Sequence, residues 1–128
     1  MTRLSRLMPL IALGLMGPVH AWAQGAAPRM NAQEYEGWRQ YSVQCARCHG
    51  QDVLGNPVAA DLLKSAGPGG PMAEQQAFVA VVKAGRPDRG MPGLAKVLTD
   101  EQVDAIYVYV KGRADGKLPA GRPERPKS

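Results

Sequence analysis

The sequence predicts an all-α domain of short helices joined by long loops. Apolar residues recur at three- and four-residue spacings in the segments that begin near Asn31, Ala73 and Thr99, which is the period of an amphipathic helix. Nothing alternates for long at the period of a strand. Glycine and proline gather at 55–57, 67–71 and 85–93 and interrupt the periodic segments. A chain of 128 residues has room for one small domain.

The first residues are not expected to belong to that domain. Arg3 and Arg6 precede an apolar run from Leu7 to Met16, and Ala21-Trp22-Ala23 follows as a small-residue cleavage site. This is the order of a secretory signal peptide over residues 1–23, removed to leave a chain starting near Gln24. A membrane span needs roughly 20 apolar residues, and here Pro9, Gly14, Gly17 and Pro18 interrupt a shorter run. Export to the periplasm without stable membrane insertion is the expectation. Residues 24–30 read as a linker.

Asn31 is the expected cap of the first helix, with Glu34 at the reciprocal capping-box position. That helix carries Tyr35, Trp38, Tyr41 and Gln44 and delivers the chain to Cys45. Gly50 stops it, and a loop runs through Gly55-Asn56-Pro57. A short helix is expected over Ala59 to Ser65 and a third over Ala73 to Lys83, where Ala77, Phe78, Val81 and Val82 share a face. Thr99, with Gln102 three residues on, should cap a last helix whose inner face is Val103, Ile106, Tyr107 and Val110. Gly112 is its expected stop. The domain thus spans 31–112, and 113–128 reads as a flexible basic tail too rich in proline and charge to pack.

Charge must be divided the same way. The net +5 comes from 16 basic and 11 acidic residues, with a pI near 9.5. Between Asn31 and Gly112, however, eight basic residues face nine acidic ones. The excess lies in the leader, Arg29 and the tail, so the pI does not argue for nucleic acid as a partner. Aromatics make up 5% of the chain, with one Phe. A domain this small with so few large apolar side chains needs a staple or a large apolar cofactor.

Cys45-Ala46-Arg47-Cys48-His49 supplies one. Both cysteines of the chain, and the only histidine beyond the leader, fall in this run. C-x-x-C-H is the attachment signature of c-type haem. Two thiols three positions apart on a helical turn can add to the vinyl groups along one porphyrin edge. The adjacent imidazole then ligates the iron. A structural zinc site lacks the ligands it needs. A thioredoxin-like pair would sit beside a βαβ unit, and a disulfide would leave His49 without a task. One haem c per chain is the expectation.

The sixth ligand is chosen among Met30, Met72 and Met91. Met30 lies close before the attachment site, and Met72 opens a helix, where methionine commonly packs. Met91 sits in Gly90-Met91-Pro92-Gly93, a turn whose residues let backbone pass close to a flat ring and fix the side chain's direction. Met91 is the expected ligand and Met72 the alternative.

From Asn31 to Gly112 the chain resembles the class I c-type cytochromes of bacteria. Gly37 and Tyr41 lie where that family has a helix-crossing glycine and an aromatic. Ile106, Tyr109, Val110 and Lys111 are similar to its C-terminal helix motif. The resemblance implies a class I cytochrome c fold of three to five short helices around the haem, with the first and last helices crossing at Gly37. It also implies a proline carbonyl that fixes the proximal histidine. Pro57 is the match, although Gly55-Asn56-Pro57 departs from the family's Gly-x-Gly-Pro. Arg86 is a candidate partner of a haem propionate, with a solvated loop arginine as the alternative. Leu62, Phe78 and Leu94 are candidates to pack on the haem, with ordinary core packing as the alternative.

Gly37-Trp38-Arg39-Gln40-Tyr41, the run Cys45 to Asp52, and the ending Tyr109 to Pro123 resemble small cytochromes of the c-550 type, which accompany PQQ-dependent alcohol dehydrogenases. The function this implies is a monomeric one-electron carrier and not an enzyme. Its donor would be such a dehydrogenase, its acceptor a terminal oxidase or another cytochrome. A general shuttle or a subunit of a respiratory complex is the alternative. A haem sensor or peroxidase would need an open iron position, and a peroxidase also positioned acid–base groups.

Overall fold

The computed structural model describes residues 29–127. The expected signal peptide and most of the expected linker lie outside the described residues. Both predicted capping boxes are present. Asn31 Oδ1 accepts from the Glu34 N–H at 2.9 Å and the Glu34 carboxylate accepts from the Asn31 N–H at 2.8 Å, opening helix α1 over Ala32–Gln44. Helix α2, Ala46–His49, follows after Cys45. Short helix α3 is Leu62–Ser65 and α4 is Gln75–Ala84. Thr99 and Gln102 exchange the same pair of bonds at 3.3 and 3.0 Å and open α5 over Asp100–Ala114.

Helices α1 and α5 cross at Gly37. A Cβ placed there would lie 2.0 Å from the Ala105 carbonyl oxygen and 2.8 Å from Tyr109 Cβ. Only glycine lets the two backbones approach this closely. Around the crossing, Tyr41, Val53, Val103, Ile106, Tyr109 and Val110 are fully buried, and the Tyr41 and Tyr109 rings sit 5.5 Å apart in a tilted pair. Such pairs add to the value of the buried area itself. On the other flank of α5, Phe78 of α4 packs on Tyr107 at 5.5 Å between ring centres.

The middle helices begin later than the periodicity predicts, because polar partners decide their ends. Asp61 Oδ1 accepts from the Leu63 N–H at 2.9 Å, so α3 starts at Leu62 and not at Ala59. Ala73 is drawn into a turn, its N–H bonded to the Gly70 carbonyl at 3.1 Å and its own carbonyl accepting from the Tyr107 hydroxyl at 2.7 Å. Helix α4 starts two residues on.

The C-terminal end departs further from the sequence reading. Gly112 is not the stop of the last helix, which continues to Ala114. The Lys117 N–H bonds to the Gly112 carbonyl at 2.8 Å and the Gly116 N–H to the Arg113 carbonyl at 3.1 Å, the bond pair of a Schellman motif. Leu118 closes it by folding its side chain onto Gly112, where an added Cβ would lie 2.7 Å from Leu118 Cδ1. Leu118 is buried at 8% exposure, Pro123 is buried, and Arg29 pairs with Glu124 in a parallel bridge. The segment expected to be an unpacked tail from residue 113 is therefore seated on the domain as far as Glu124. Composition reports average polarity, whereas a single leucine at the right offset from a helix end is enough to dock it.

Candidate functional site

A cavity of about 420 Å³ opens beside the α1–α5 crossing. It falls in the size range of cofactor sites. The side chains expected to hold or pack on the haem line it: Cys45, Cys48, His49, Pro57, Leu62, Phe78, Arg86, Met91 and Leu94, whereas Met30 lies in the hydrophobic core. Met72 lines the cavity too.

One wall is the end of α1 and the turn of α2. The Cys45 N–H bonds to the Tyr41 carbonyl at 2.9 Å, and the His49 N–H to the Cys45 carbonyl at 2.9 Å. Helical backbone thus carries both cysteines and the histidine into the same cavity. Burial pushes the Cys45 thiol up to about 12, with Cys48 nearby adding to it, whereas Cys48 is exposed. The buried Tyr41 hydroxyl donates to the Gly50 carbonyl at 2.8 Å, and burial above all holds it in its protonated form. The sequence offered Tyr41 as a packing aromatic. Its role in tying down the residue after His49 depends on a bond that spans nine positions, which no local pattern signals.

His49 Nδ1 lies 2.9 Å from the Ala60 carbonyl oxygen. With the proton on Nδ1, that contact orients the ring and leaves Nε2 as a basic lone pair for a metal. The proline carbonyl implied by the resemblance is not the one in place. Pro57 lines the cavity, but a turn closed by the Ala59 N–H on the Asn56 carbonyl at 3.2 Å carries the chain past it. The carbonyl at the imidazole is that of Ala60, just before the cap of α3.

The second wall is a tight hairpin. Arg86 and Met91 exchange two backbone bonds, Arg86 N–H to the Met91 carbonyl at 2.8 Å and Met91 N–H to the Arg86 carbonyl at 3.1 Å. A 3₁₀ turn over Pro87–Arg89 closes it, and Gly90 takes the left-handed region at φ +77°. The Leu94 N–H then bonds to the Val82 carbonyl at 2.9 Å, fastening the hairpin to α4. Met91 is presented by backbone pairing alone.

These residues fit a haem. The cavity is mainly apolar in lining, and the buried Ser65 hydroxyl on its wall has no partner among the described residues, which suits a polar substituent of an otherwise apolar ligand. No cluster of three or more His, Cys, Asp or Glu side chains gathers among the described residues. A metal held by His49 and one thioether therefore needs a macrocycle for its remaining ligands.

Comparison with known proteins agrees. Residues 32–110 match the sequence profile of the family described as cytochrome c oxidase, cbb3-type, subunit III. Cytochrome c-555 of Methylococcus capsulatus is 36% identical over 107 residues, spanning 79% of this chain and 82% of that protein. Quinohemoprotein alcohol dehydrogenase ADH-IIG of Pseudomonas putida is 35% identical over 78 residues, 61% of this chain but 10% of that much longer protein. Its solved structure superimposes at a TM-score of 0.56, with 28% identity over 89% of this chain and 15% of that one. The c-type cytochrome XoxG from Methylobacterium extorquens AM1 shares the fold, with a TM-score of 0.62 at 23% identity over 76% of this chain and 60% of that one.

Proposed function

This chain belongs to the c-type cytochrome family described as cytochrome c oxidase, cbb3-type, subunit III, and on that premise we propose how its residues hold the haem and whom it serves. The protein is a single-haem c-type cytochrome and an electron carrier. Cys45 and Cys48 would hold the haem through two thioethers, and His49 and Met91 would ligate its iron. The observation that carries this assignment is the convergence of all four on one apolar cavity. Met91 is preferred to Met72 because Met72 packs against the hydrophobic core, whereas Met91 stands on a hairpin built to present it.

A haem held here would supply one-electron chemistry. The chain does the rest. His49, oriented by the Ala60 carbonyl, and Met91, held by its hairpin, would ligate the iron. A thioether ligand favours the ferrous state. The apolar lining excludes water. Exposed Cys48, and Val58 at 74% exposure, border the cavity and leave an edge where a partner can approach. Small, weak contacts suffice for such redox encounters.

The proposed donor is a PQQ-dependent alcohol dehydrogenase in the periplasm, and the proposed acceptor a terminal oxidase. The likeness to part of a quinohemoprotein alcohol dehydrogenase supports that donor class, as does the c-550-like wording of the motif and ending. Oxidation of one alcohol to an aldehyde releases two electrons and two protons. Two molecules of carrier each take one electron, and the protons go to solvent.

The ferric protein should show a low-spin spectrum with the weak far-red methionine–iron band. Met91→Ala should abolish that band and admit CO to the reduced protein, while Met72→Ala keeps the band. The reverse pattern would assign the sixth ligand to Met72. Rapid mixing with a reduced PQQ-dependent alcohol dehydrogenase at two salt concentrations tests the donor. Reduction no faster than by an unrelated flavin dehydrogenase would overturn it.

A further inference from the structure

Two consecutive non-glycine residues just after the attachment motif hold backbone angles that L-residues seldom adopt, Asp52 at φ +54° and Val53 at φ +62°. For a β-branched residue such as Val53 this is a true outlier. Such angles persist only where the surroundings impose them. Burial of Val53 is one constraint, since its side chain is fully enclosed. Arg113 is the other. Its Nε donates to the Asp52 carbonyl at 3.0 Å, and its Nη1 donates to the Leu118 carbonyl. One guanidinium ties the turn after His49 to the segment that follows α5.

That segment is itself anchored. The Leu118 N–H donates to the Gly112 carbonyl at 3.0 Å, and its side chain is seated on Gly112. The space between turn and helix is buried and polar. Neither Asp52 Oδ1 nor the Tyr109 hydroxyl has a hydrogen-bond partner among the described residues. The Tyr109 hydroxyl is pushed up to about 12, first by burial and then by the Asp52 charge, against an opposing pull from Arg113.

We propose that Arg113 is a positioning residue of the redox centre: its guanidinium fork, anchored by Leu118, holds the turn Gln51–Leu54 and through it the backbone that carries His49. A planar fork can serve two carbonyls at once, which a lysine ammonium on a flexible stem does not reproduce. The inference rests on the reading of His49 as an iron ligand. It gives the C-terminal segment a task in support of the haem site, in place of the detached tail its composition suggested.

The test uses full-length ferric holoprotein carrying Arg113→Lys or Leu118→Ala. Amide hydrogen exchange is read along the chain, and the hyperfine-shifted His49 ring signals are read by NMR. Exchange at residues 51–54 should accelerate by about tenfold or more in both variants, with changes below about twofold in the middle of α1. The His49 signals should move in both. Parent-like exchange at the turn in either variant, or His49 signals that stay in place, would overturn the proposal. Covalent haem is scored separately on a denaturing gel, and its absence from the parent protein would instead sink the haem reading.

Discussion

The two walls of the haem cavity hold their side chains by different means. The wall of Cys45, Cys48 and His49 is braced from far away. Tyr41 reaches the Gly50 carbonyl, the Ala60 carbonyl meets His49, and Arg113 comes from α5 to hold the strained turn at Asp52. The wall of Met91 is braced locally, by two backbone bonds within six residues and one bond to α4. A wall that carries the covalent attachment gains from rigidity shared with the whole fold. A wall that supplies only a thioether can be built and lost as a unit. Damage to the first should therefore spread through the protein, and damage to the second should stay where it is made.

The largest effect should come from the crossing that supports the first wall. Gly37→Val would force α5, at the Ala105 carbonyl and Tyr109, away from α1, and we expect a loss of about 3 kcal/mol or more in denaturant unfolding. A loss under about 1 kcal/mol would mean that the helices can part without harm to the attachment wall.

Tyr41→Phe comes next. It removes the donor to the buried Gly50 carbonyl, which should cost about 1–3 kcal/mol and also speed hydrogen exchange near His49. A stability loss without that local change would detach Tyr41 from the site.

Gly90→Ala tests the second wall. Nothing lies within 4 Å of an added Cβ there, so only the left-handed backbone resists it, at about 1–2 kcal/mol. The far-red band should weaken while α1 and α5 keep their exchange protection. Spread of the damage to those helices would erase the contrast between the walls.

The smallest effect concerns the attachment wall before haem is joined. In the haem-free chain at about pH 8, iodoacetamide should modify exposed Cys48 before Cys45, because a thiol pushed up to about 12 holds little thiolate there. Reaction at Cys45 should quicken as pH rises toward that value. Equal rates at the two thiols would show that burial of Cys45 waits for the haem.

Much of the site was legible because its signals are short in sequence. The five residues from Cys45 to His49 carry the haem-attachment signature and one proposed ligand together, and Gly90-Met91-Pro92 announces a rigid turn. Asn31 and Thr99 each complete a capping box within three residues, so both long helices started where the pattern put them. Errors arose where a partner lay out of sight. Ala60 replaced Pro57 at His49 because the turn at Asn56 moved the carbonyls. The last helix ran past Gly112 because Leu118 folded back on it. Asp61 and Tyr107 shortened two helices through bonds that periodicity does not see.

The sequence alone determined the cofactor, the helical class and the ends of α1 and α5, since each rests on chemistry within a few neighbouring residues. Only the tertiary structure decided which carbonyl orients His49, what holds Asp52 and Val53 in their strained turn, and where the chain after α5 goes. Those outcomes depend on groups as many as 61 positions apart, as Asp52 and Arg113 are. Burial and unmet hydrogen bonds choose among them only once the α1–α5 crossing has brought the groups together.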